Sequence, residues 1–539
     1  MKKVFWKLLA AVLGLGAAFL YYYVTIPAFN IHSTGTWTFL AAGWVVLLGL
    51  LSFKKLRFTK QGKLEYEGGK KGVLLMKLGL GVLLLMLVIL AAGGLLSSPV
   101  VNADAYQRLL TVEEREFTED IKPADYNQIP LLDKASAELL GNRKMGSMVE
   151  YVSQFEVSNL YSQINYQGKP VRVTPLVYAS PVKWLTNHGD GIPAYIMIDM
   201  ATQETECVKL EKPIRYSQSE YFGRNIYRHL RFRYPTYIFD QISFEIDDEG
   251  IPYWICPVKE FQIGLFGGQT IGKVVLCNAV TGECSSMDVE DVPKWVDRVY
   301  PADLLVELYD YYGSLKHGFF NSVLGQRDCL RTTDGFNYIA MDDDVWVYTG
   351  VTSVSGDESN VGFVLMNQRT METRYYSCAG AEEYSAMSSA EGQVQNLGYQ
   401  ATFPLLLNIS GEPTYFLALK DAAGLVKKYA MVNIQRYQIV AIGDTVGECE
   451  KAYRALMRTN NIGSGEDAAA QKQSGTISRM AQGVIDGNTH YYVILNGSDV
   501  IYDVLLADFV EIVRYKEGDR ITLEYLEGQE TRQVVGVGD

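Results

Sequence analysis

Three long uncharged stretches crowd into the first hundred residues: Leu8 to Phe29, Trp37 to Phe53 and Val73 to Leu96. Crossing a bilayer takes roughly 20 consecutive apolar residues, and a soluble core does not account for three such runs so close together. Lys77 interrupts the third only near its start, where a long side chain can snorkel to the interface. Tyr21, Tyr22, Tyr23, Trp37 and Trp44 include several aromatics at segment ends, as interfacial belts prefer. Three transmembrane helices are expected, with the lipid bilayer as a partner through residues 8–96.

Basic residues in short loops set the orientation, because they are retained on the cytoplasmic side. Lys2, Lys3 and Lys7 precede the first stretch, and Lys54, Lys55, Arg57, Lys60, Lys63, Lys70 and Lys71 separate the second from the third. The connection Asn30 to Thr36 carries only His32 as a titratable group. Both basic segments are expected in the cytoplasm, which places everything after Leu96 outside, at the plasma membrane. A cleaved signal peptide is the rival reading of residues 1–20, since Lys2-Lys3, an apolar run and Gly16-Ala17-Ala18 have that form. The tyrosines that prolong the run favour an uncleaved anchor.

Charge is divided unevenly along the chain. Residues 1–97 hold 11 of the 49 Lys/Arg and 2 of the 62 Asp/Glu, so the remainder carries 38 basic and 60 acidic side chains. A strongly acidic globular portion repels phosphate backbones and anionic headgroups, which argues against nucleic acid as a partner. At 539 residues the chain is too long for one core. The expected organisation is a three-helix membrane region at 1–97, a polar stalk and linker helices at 98–150, an α+β module pair at 151–300, a second pair at 301–458, a linker at 459–474 and a small barrel at 475–539.

From Tyr151 onward the hydrophobic period changes to two, with Tyr, Val, Ile and Phe alternating against polar residues between turn signals. Gly191-Ile192-Pro193-Ala194-Tyr195, Gly250-Ile251-Pro252-Tyr253 and Gly411-Glu412-Pro413-Thr414-Tyr415 repeat a Gly-x-Pro-aromatic pattern where a strand begins. Around the last two, the order reads helix, strand, Gly-x-Pro turn, strand, turn, strand. Such a unit has one apolar sheet face and one covering helix, so packing two together buries what one leaves wet. The fold class expected is membrane-anchored α+β, with tandem antiparallel-sheet-plus-helix modules and a C-terminal small β-barrel. That barrel, of OB or SH3-like type, is read from short strands after Gly475 and the turn pairs Asp486-Gly487, Asn496-Gly497 and Gly518-Asp519.

The stretch Gly272-Lys273-Val274-Val275-Leu276 followed by Asn278-Ala279-Val280-Thr281-Gly282-Glu283 resembles the PepSY family of extracytoplasmic bacterial modules, in which a helix packs on a small antiparallel sheet with a strand ending in Asn-x-x-Thr-Gly-Glu. The copy at Tyr429 to Val440 lacks Thr-Gly-Glu, and Ala201-Thr202-Gln203-Glu204 is a loose echo. The resemblance spans about 250 residues and implies a binding or regulatory module of the cell envelope; it transfers no catalytic residue.

No catalytic, cofactor-binding or metal-binding residue is assigned from the sequence, and no cofactor is expected. His32, His188, His229, His317 and His490 are scattered without HxH or HExxH spacing and are read as structural. Asp342-Asp343-Asp344 is the densest acidic run, but the D-x-D-x-D-G spacing of a calcium loop is missing, so a solvated turn is expected. Asn461-Ile462-Gly463-Ser464-Gly465 lacks the first Gly of a nucleophile elbow. Cys207, Cys256, Cys277, Cys284, Cys329, Cys378 and Cys449 form no CxxC pair and read as small core residues, with a Cys277–Cys284 bridge across the intervening turn as the alternative. The expected function is a non-enzymatic, membrane-anchored scaffold or regulator binding a protein or cell-wall component. The alternatives are an envelope hydrolase with a carboxylate pair, marked by two facing carboxylates of raised pKa in a pocket, and an accessory subunit of a transport complex, for which Gly79 to Gly81 and Ala91 to Gly94 offer small-residue faces.

Overall fold

Val, Ile and aromatic residues recur throughout the chain after residue 150, and strands are what they favour. In a computed structural model, residues 2–53, 56–58, 64–66, 69–122, 129–130, 132–341, 343–353, 359–460, 462, 471–485, 488–506, 509–526 and 531–538 are described. They divide into two units, one of Met1–Asn408 with Pro413–Leu456 and one of Ile409–Glu412 with Met457–Asp539.

The expected set of three membrane helices is corrected to one. Among the described residues, only Met76–Leu96 is long and apolar enough to cross a bilayer, with 21 residues and a mean hydropathy of 2.6. The other two stretches form helices Lys2–Thr25 and Thr34–Phe53, whose apolar parts among the described residues are Val12–Thr25 and Thr34–Leu50, short of the roughly 20 residues a span needs. Lysines occupy the first turns of one, and the break at Ile26–Ser33 truncates both. The helices touch through specific contacts: Tyr21 stacks on Phe39 at 4.5 Å, and Trp44 Nε1 donates to Gly79 O at 3.0 Å. Gly79 lies against Leu48, whose Cδ2 a Cβ would approach to 2.3 Å.

Four sheets follow in the first unit. The first orders Phe155–Val157, Lys169–Tyr178, Ile192–Asp199 and Thr205–Ile214, with Ser162–Tyr166 also on Lys169–Tyr178. The second orders Cys284–Asp288, Gly267–Asn278, Pro252–Ile263 and Ser243–Ile246. The third is built on Asp344–Ser353, Ser359–Asn367 and Thr373–Ala381, and the fourth on Glu412–Lys420, Val426–Asn433 and Val440–Gly443. A helix precedes each: Lys134–Gly146, Ile226–Arg233, Ala302–Ser314 and Glu383–Gln393.

These sheets share cores with one another. One core joins the first sheet (Val173, Ile196) to the second (Phe244, Trp254, Cys277). A second joins the opposite face of the second sheet (Ile255, Val274, Leu276) through helix Ala302–Ser314 to the third (Val347, Val364). A third joins the other face of that sheet (Trp346, Tyr348, Phe363) to the fourth (Tyr415, Leu417, Val432). Strands buried on both faces read as continuous apolar runs rather than alternations, which is why Val274-Val275-Leu276-Cys277 and Phe363-Val364-Leu365-Met366 are buried throughout. Nor is the pairing purely antiparallel. Glu113–Glu114, from the segment read as a stalk, adds in parallel to Thr373–Ala381, and Phe117 and Ile121 just beyond it enter the third core.

One turn recurs between paired strands. Asn278 Oδ1 accepts from Val280 N and Thr281 N, both at 2.9 Å, and Thr281 Oγ1 accepts from Glu283 N. Asp199 with Thr202 and Glu204 repeats this geometry in the first sheet, and Asn367 with Thr370 and Glu372 repeats it in the third. The fifth position is left-handed in all three: Gly282 at φ 73°, Gln203 at 63° and Met371 at 65°. The Gly-x-Pro sites are likewise turn positions, with Gly191, Gly250 and Gly411 at φ 81°, 78° and 79°.

In the second unit, Gln471–Ile485, Asn488–Leu495, Tyr502–Leu505, Arg532–Gly538 and Arg520–Leu526 close into a barrel. Ile477, Val493, Val504, Ile521 and Leu523 fill its interior. Its closure uses a parallel pair, Tyr502–Leu505 on Arg532–Gly538. The expected turn Asp486-Gly487 lies outside the described residues.

Leu305, fully buried on helix Ala302–Ser314 between the second and third sheets, tests the shared core. Leu305→Ala is expected to destabilise the first unit by about 2–5 kcal/mol, read as a lowered midpoint in thermal or denaturant unfolding, without a change in the barrel's own transition.

Candidate functional site at the ends of the apolar helices

Helix Gly69–Leu96 ends against folded protein rather than in a free linker. Ser97 is buried, and its Oγ accepts from Leu265 N at 2.8 Å and Phe266 N at 3.1 Å, both at the tip of the hairpin that forms the centre of the second sheet. Its carbonyl oxygen accepts from Tyr106 Oη at 2.6 Å. Hydrogen bonds from two turn N–H groups to one hydroxyl fix the hairpin tip and satisfy donors that would otherwise be lost. Gly267 makes the approach possible, since a Cβ there would sit 2.1 Å from Ser97 O and 2.3 Å from Tyr106 Oη.

The loop between the two preceding helices reaches the same sheet. Phe29 N donates to Pro235 O at 2.7 Å, and Asn30 Nδ2 donates to Thr236 O at 3.0 Å. His32 Nδ1 lies 2.8 Å from Leu265 O while its ring stacks on Phe261. Helix Ile226–Arg233 closes the arrangement from the side: Arg231 Nε donates to Ile26 O at 3.1 Å, and Phe232 packs edge-on against Tyr22. A polar cleft of about 360 Å³ lies beside this joint, lined by Asn30, Thr236, Lys259, Glu260, Lys273 and Asp288. Its two lysines pair with Asp240 and Asp288.

An exposed apolar loop lies on the same joint. Phe319 packs near Tyr106, Ile263 and Leu315, and beyond it Phe320, Val323 and Leu324 are 69%, 56% and 80% exposed. Lys316, His317 and Arg327 flank them. Clustered large apolar side chains in water mark a contact surface.

The second sheet also holds the one group of three potential metal ligands found among the described residues: His229, Cys277 and Cys284, with ligand atoms within 4.8 Å of one another. Cys277 and Cys284 stand directly opposite each other in the ladder, both as free thiols, and Cys284 Sγ lies 2.6 Å from Cys277 Sγ. The separation of 48 positions from His229 to Cys277 hid this grouping from any spacing argument; only packing of helix Ile226–Arg233 over the edge of the sheet creates it.

The remaining residues singled out in the sequence are dispersed. His188 caps its own helix and lies against Trp184, His317 pairs with Asp328 at 3.0 Å, and His490 pairs with Asp503 at 2.7 Å in the barrel. Asp344 is held at two points by Arg369, at 2.6 and 2.7 Å, while Asp343 accepts from Asn165 Nδ2; Asp342 lies outside the described residues. So do Asn461 and residues 463–465 of the elbow-like stretch, and Lys54, Lys55, Lys60 and Lys63 of the basic loop.

Two facing carboxylates do occur, at Glu245 and Asp297, but not in the cleft. They are 0% and 1% exposed. Glu245 accepts from Asp297 N at 2.9 Å and Arg298 N at 3.2 Å, and Asp297 accepts from Asn165 N at 2.7 Å. Burial pushes the Glu245 carboxyl up to about 7, and burial with the neighbouring Glu245 raises Asp297 as well. The pair is buried where Asn165 of the first sheet meets Glu245 of the second.

Comparison with known proteins assigns no family. No family model matches the chain, and no curated protein does. Among solved structures, a mutant of the Synechocystis apocarotenoid oxygenase overlaps 56% of this chain and 67% of its own at 10% identity and a TM-score of 0.17. The cobalt-substituted Synechocystis enzyme overlaps 65% and 59% at 9% identity and a TM-score of 0.15. Overlap at that level defines no common fold.

Two outcomes check the site. Gly267→Ala is expected to loosen the hairpin tip from Ser97, read as faster amide exchange at Leu265 and Phe266 with the barrel unaffected. A carboxyl whose folded pKa is raised binds its proton more tightly when folded, so stability falls as pH rises from about 4.5 towards about 7. Asp297, Arg298, Asp343 and Asp344 surround this titration. Glu245→Gln is expected to flatten the dependence of the melting temperature on pH across that window by a few degrees.

Proposed function

We propose that this chain is a non-enzymatic binding protein held in the plasma membrane of a bacterial-type cell by helix Met76–Leu96, with the sheets on the outer side, where they bind a protein or a cell-wall component. The observation that supports this reading is the Ser97 joint, in which the end of the apolar helix is hydrogen-bonded into the second sheet. Wherever that helix is embedded, the sheets stand directly at its end. Lys70 and Lys71 lie in the first turn of helix Gly69–Leu96, ahead of its apolar part, and basic residues stay on the cytoplasmic side. Phe320, Val323 and Leu324, on the same joint, are suited to rest in the headgroup layer, with Lys316 and Arg327 towards anionic lipid. The acidic remainder points to a cationic or neutral partner, taken up on sheet edges and the polar cleft.

Single cysteine reporters at Gly62 and Val149, on a cysteine-free background in intact cells, test this placement. Val149 is 86% exposed. An impermeant maleimide is expected to label Val149→Cys directly and Gly62→Cys only after permeabilisation. The opposite pattern would invert the topology and end the envelope reading; labelling of both only after permeabilisation would remove the membrane placement of the sheets.

A further inference from the structure

We infer that Cys277 and Cys284 are a redox-active pair that closes into a cross-strand disulfide by thiol–disulfide exchange, with Cys284 as the attacking sulfur and His229 as its proton partner. Three observations on geometry carry this. The two residues face each other in the antiparallel ladder between Gly267–Asn278 and Cys284–Asp288, where Cα atoms stand about 4.5–5.5 Å apart, inside the range a disulfide spans. Their sulfurs are already in contact at 2.6 Å. Cys277 is fully buried against the first core while Cys284 is half-buried at the sheet edge, so an incoming reagent meets Cys284 first.

His229 completes the group. Its Nε2 lies 2.7 Å from Gly282 O, its ring packs against Tyr216, and it comes within 4.8 Å of both sulfurs. The hydrogen bond between the two sulfurs, with His229 beside it, holds the Cys284 thiol down to about 6. The same contact pushes Cys277 up, and His229 is raised by its bond to Cys284. Arg233 on the same helix adds positive potential, and Cys256 on the neighbouring strand and Tyr234 also face the pair. Tyr234 Oη donates to Cys284 O, from outside the edge. An asymmetric pair of this kind separates attacking from resolving thiol.

The step balances with a disulfide-class oxidant, RSSR. The Cys284 thiolate attacks one sulfur, forming a mixed disulfide and expelling RS⁻, which takes the proton from imidazolium His229. Neutral His229 then accepts the Cys277 proton. The Cys277 thiolate attacks Cys284 Sγ and expels the second RS⁻, which is protonated in turn. One internal disulfide and two RSH result. A resident metal fits the arrangement less well, because two thiolates on tetrahedral zinc stand roughly 3.7 Å apart given Zn–S bonds of about 2.3 Å, wider than the sulfur contact here.

The test uses the reduced full chain in detergent, mixed with oxidised glutathione between pH 5 and 8, acid-quenched, alkylated and mapped by mass spectrometry. Cys277 and Cys284 are expected to lose alkylation together as an internal bridge, with a rate midpoint near pH 6, while Cys256 stays alkylated. His229→Gln is expected to move the midpoint up towards the ordinary thiol value and to slow closure at pH 6.5 about tenfold. Cys277→Ser is expected to accumulate glutathione on Cys284, a readout that holds even where the His229 variant fails to fold. Stable glutathionylation of Cys284 without closure in the unmodified chain would overturn the proposal. So would a pH profile indifferent to His229→Gln, an absence of mixed disulfide in Cys277→Ser, or one equivalent of zinc retained with both thiols blocked.

Discussion

The structure depends on burial of both faces of its second and third sheets. A sheet with one wet face can stand beside a single helix, but the second sheet sends Ile255, Val274 and Leu276 into one core and Trp254, Cys256 and Val275 into another on its opposite face. Each fully buried aliphatic side chain contributes about 1.5–3 kcal/mol, so the central sheets hold their neighbours on either side. Polar groups caught in the seam must then be satisfied internally. Glu245 takes two backbone N–H groups, and Glu383 does similar work between the third and fourth sheets, accepting from Thr333 at 3.0 Å and Tyr348 at 3.3 Å.

Much of this was legible and some was not, for physical reasons. Strand content, the Gly-x-Pro turns and the Asn278 turn follow from local chemistry: positive φ needs glycine or a strong local cap, and Asn supplies one through its own side chain. The Asn367 copy escaped because its fifth residue is Met371, where a pattern tied to glycine finds nothing. The Asx and Thr bonds, not the glycine, hold that turn. The core that links the second sheet to the third escaped because a doubly buried strand loses the alternation that distinguishes inside from outside. Three membrane helices were expected from runs of uncharged residues. Length decides instead, and only Met76–Leu96 has it among the described residues. Of the site, His229 was invisible beside Cys277 and Cys284 because tertiary packing alone brings them together.

The Ser97 joint has a mechanical meaning. A helix is stiff along its axis, and the hairpin it grips forms the centre of the second sheet. A displacement of the helix along its axis, or a tilt of it, is transmitted to the hairpin tip as a push or a torque rather than absorbed in slack chain. The edge strand Cys284–Asp288 borders that hairpin. The pair Cys277 and Cys284 therefore sits where such a load would shear one strand past the next, and a covalent tie there would act as a rivet.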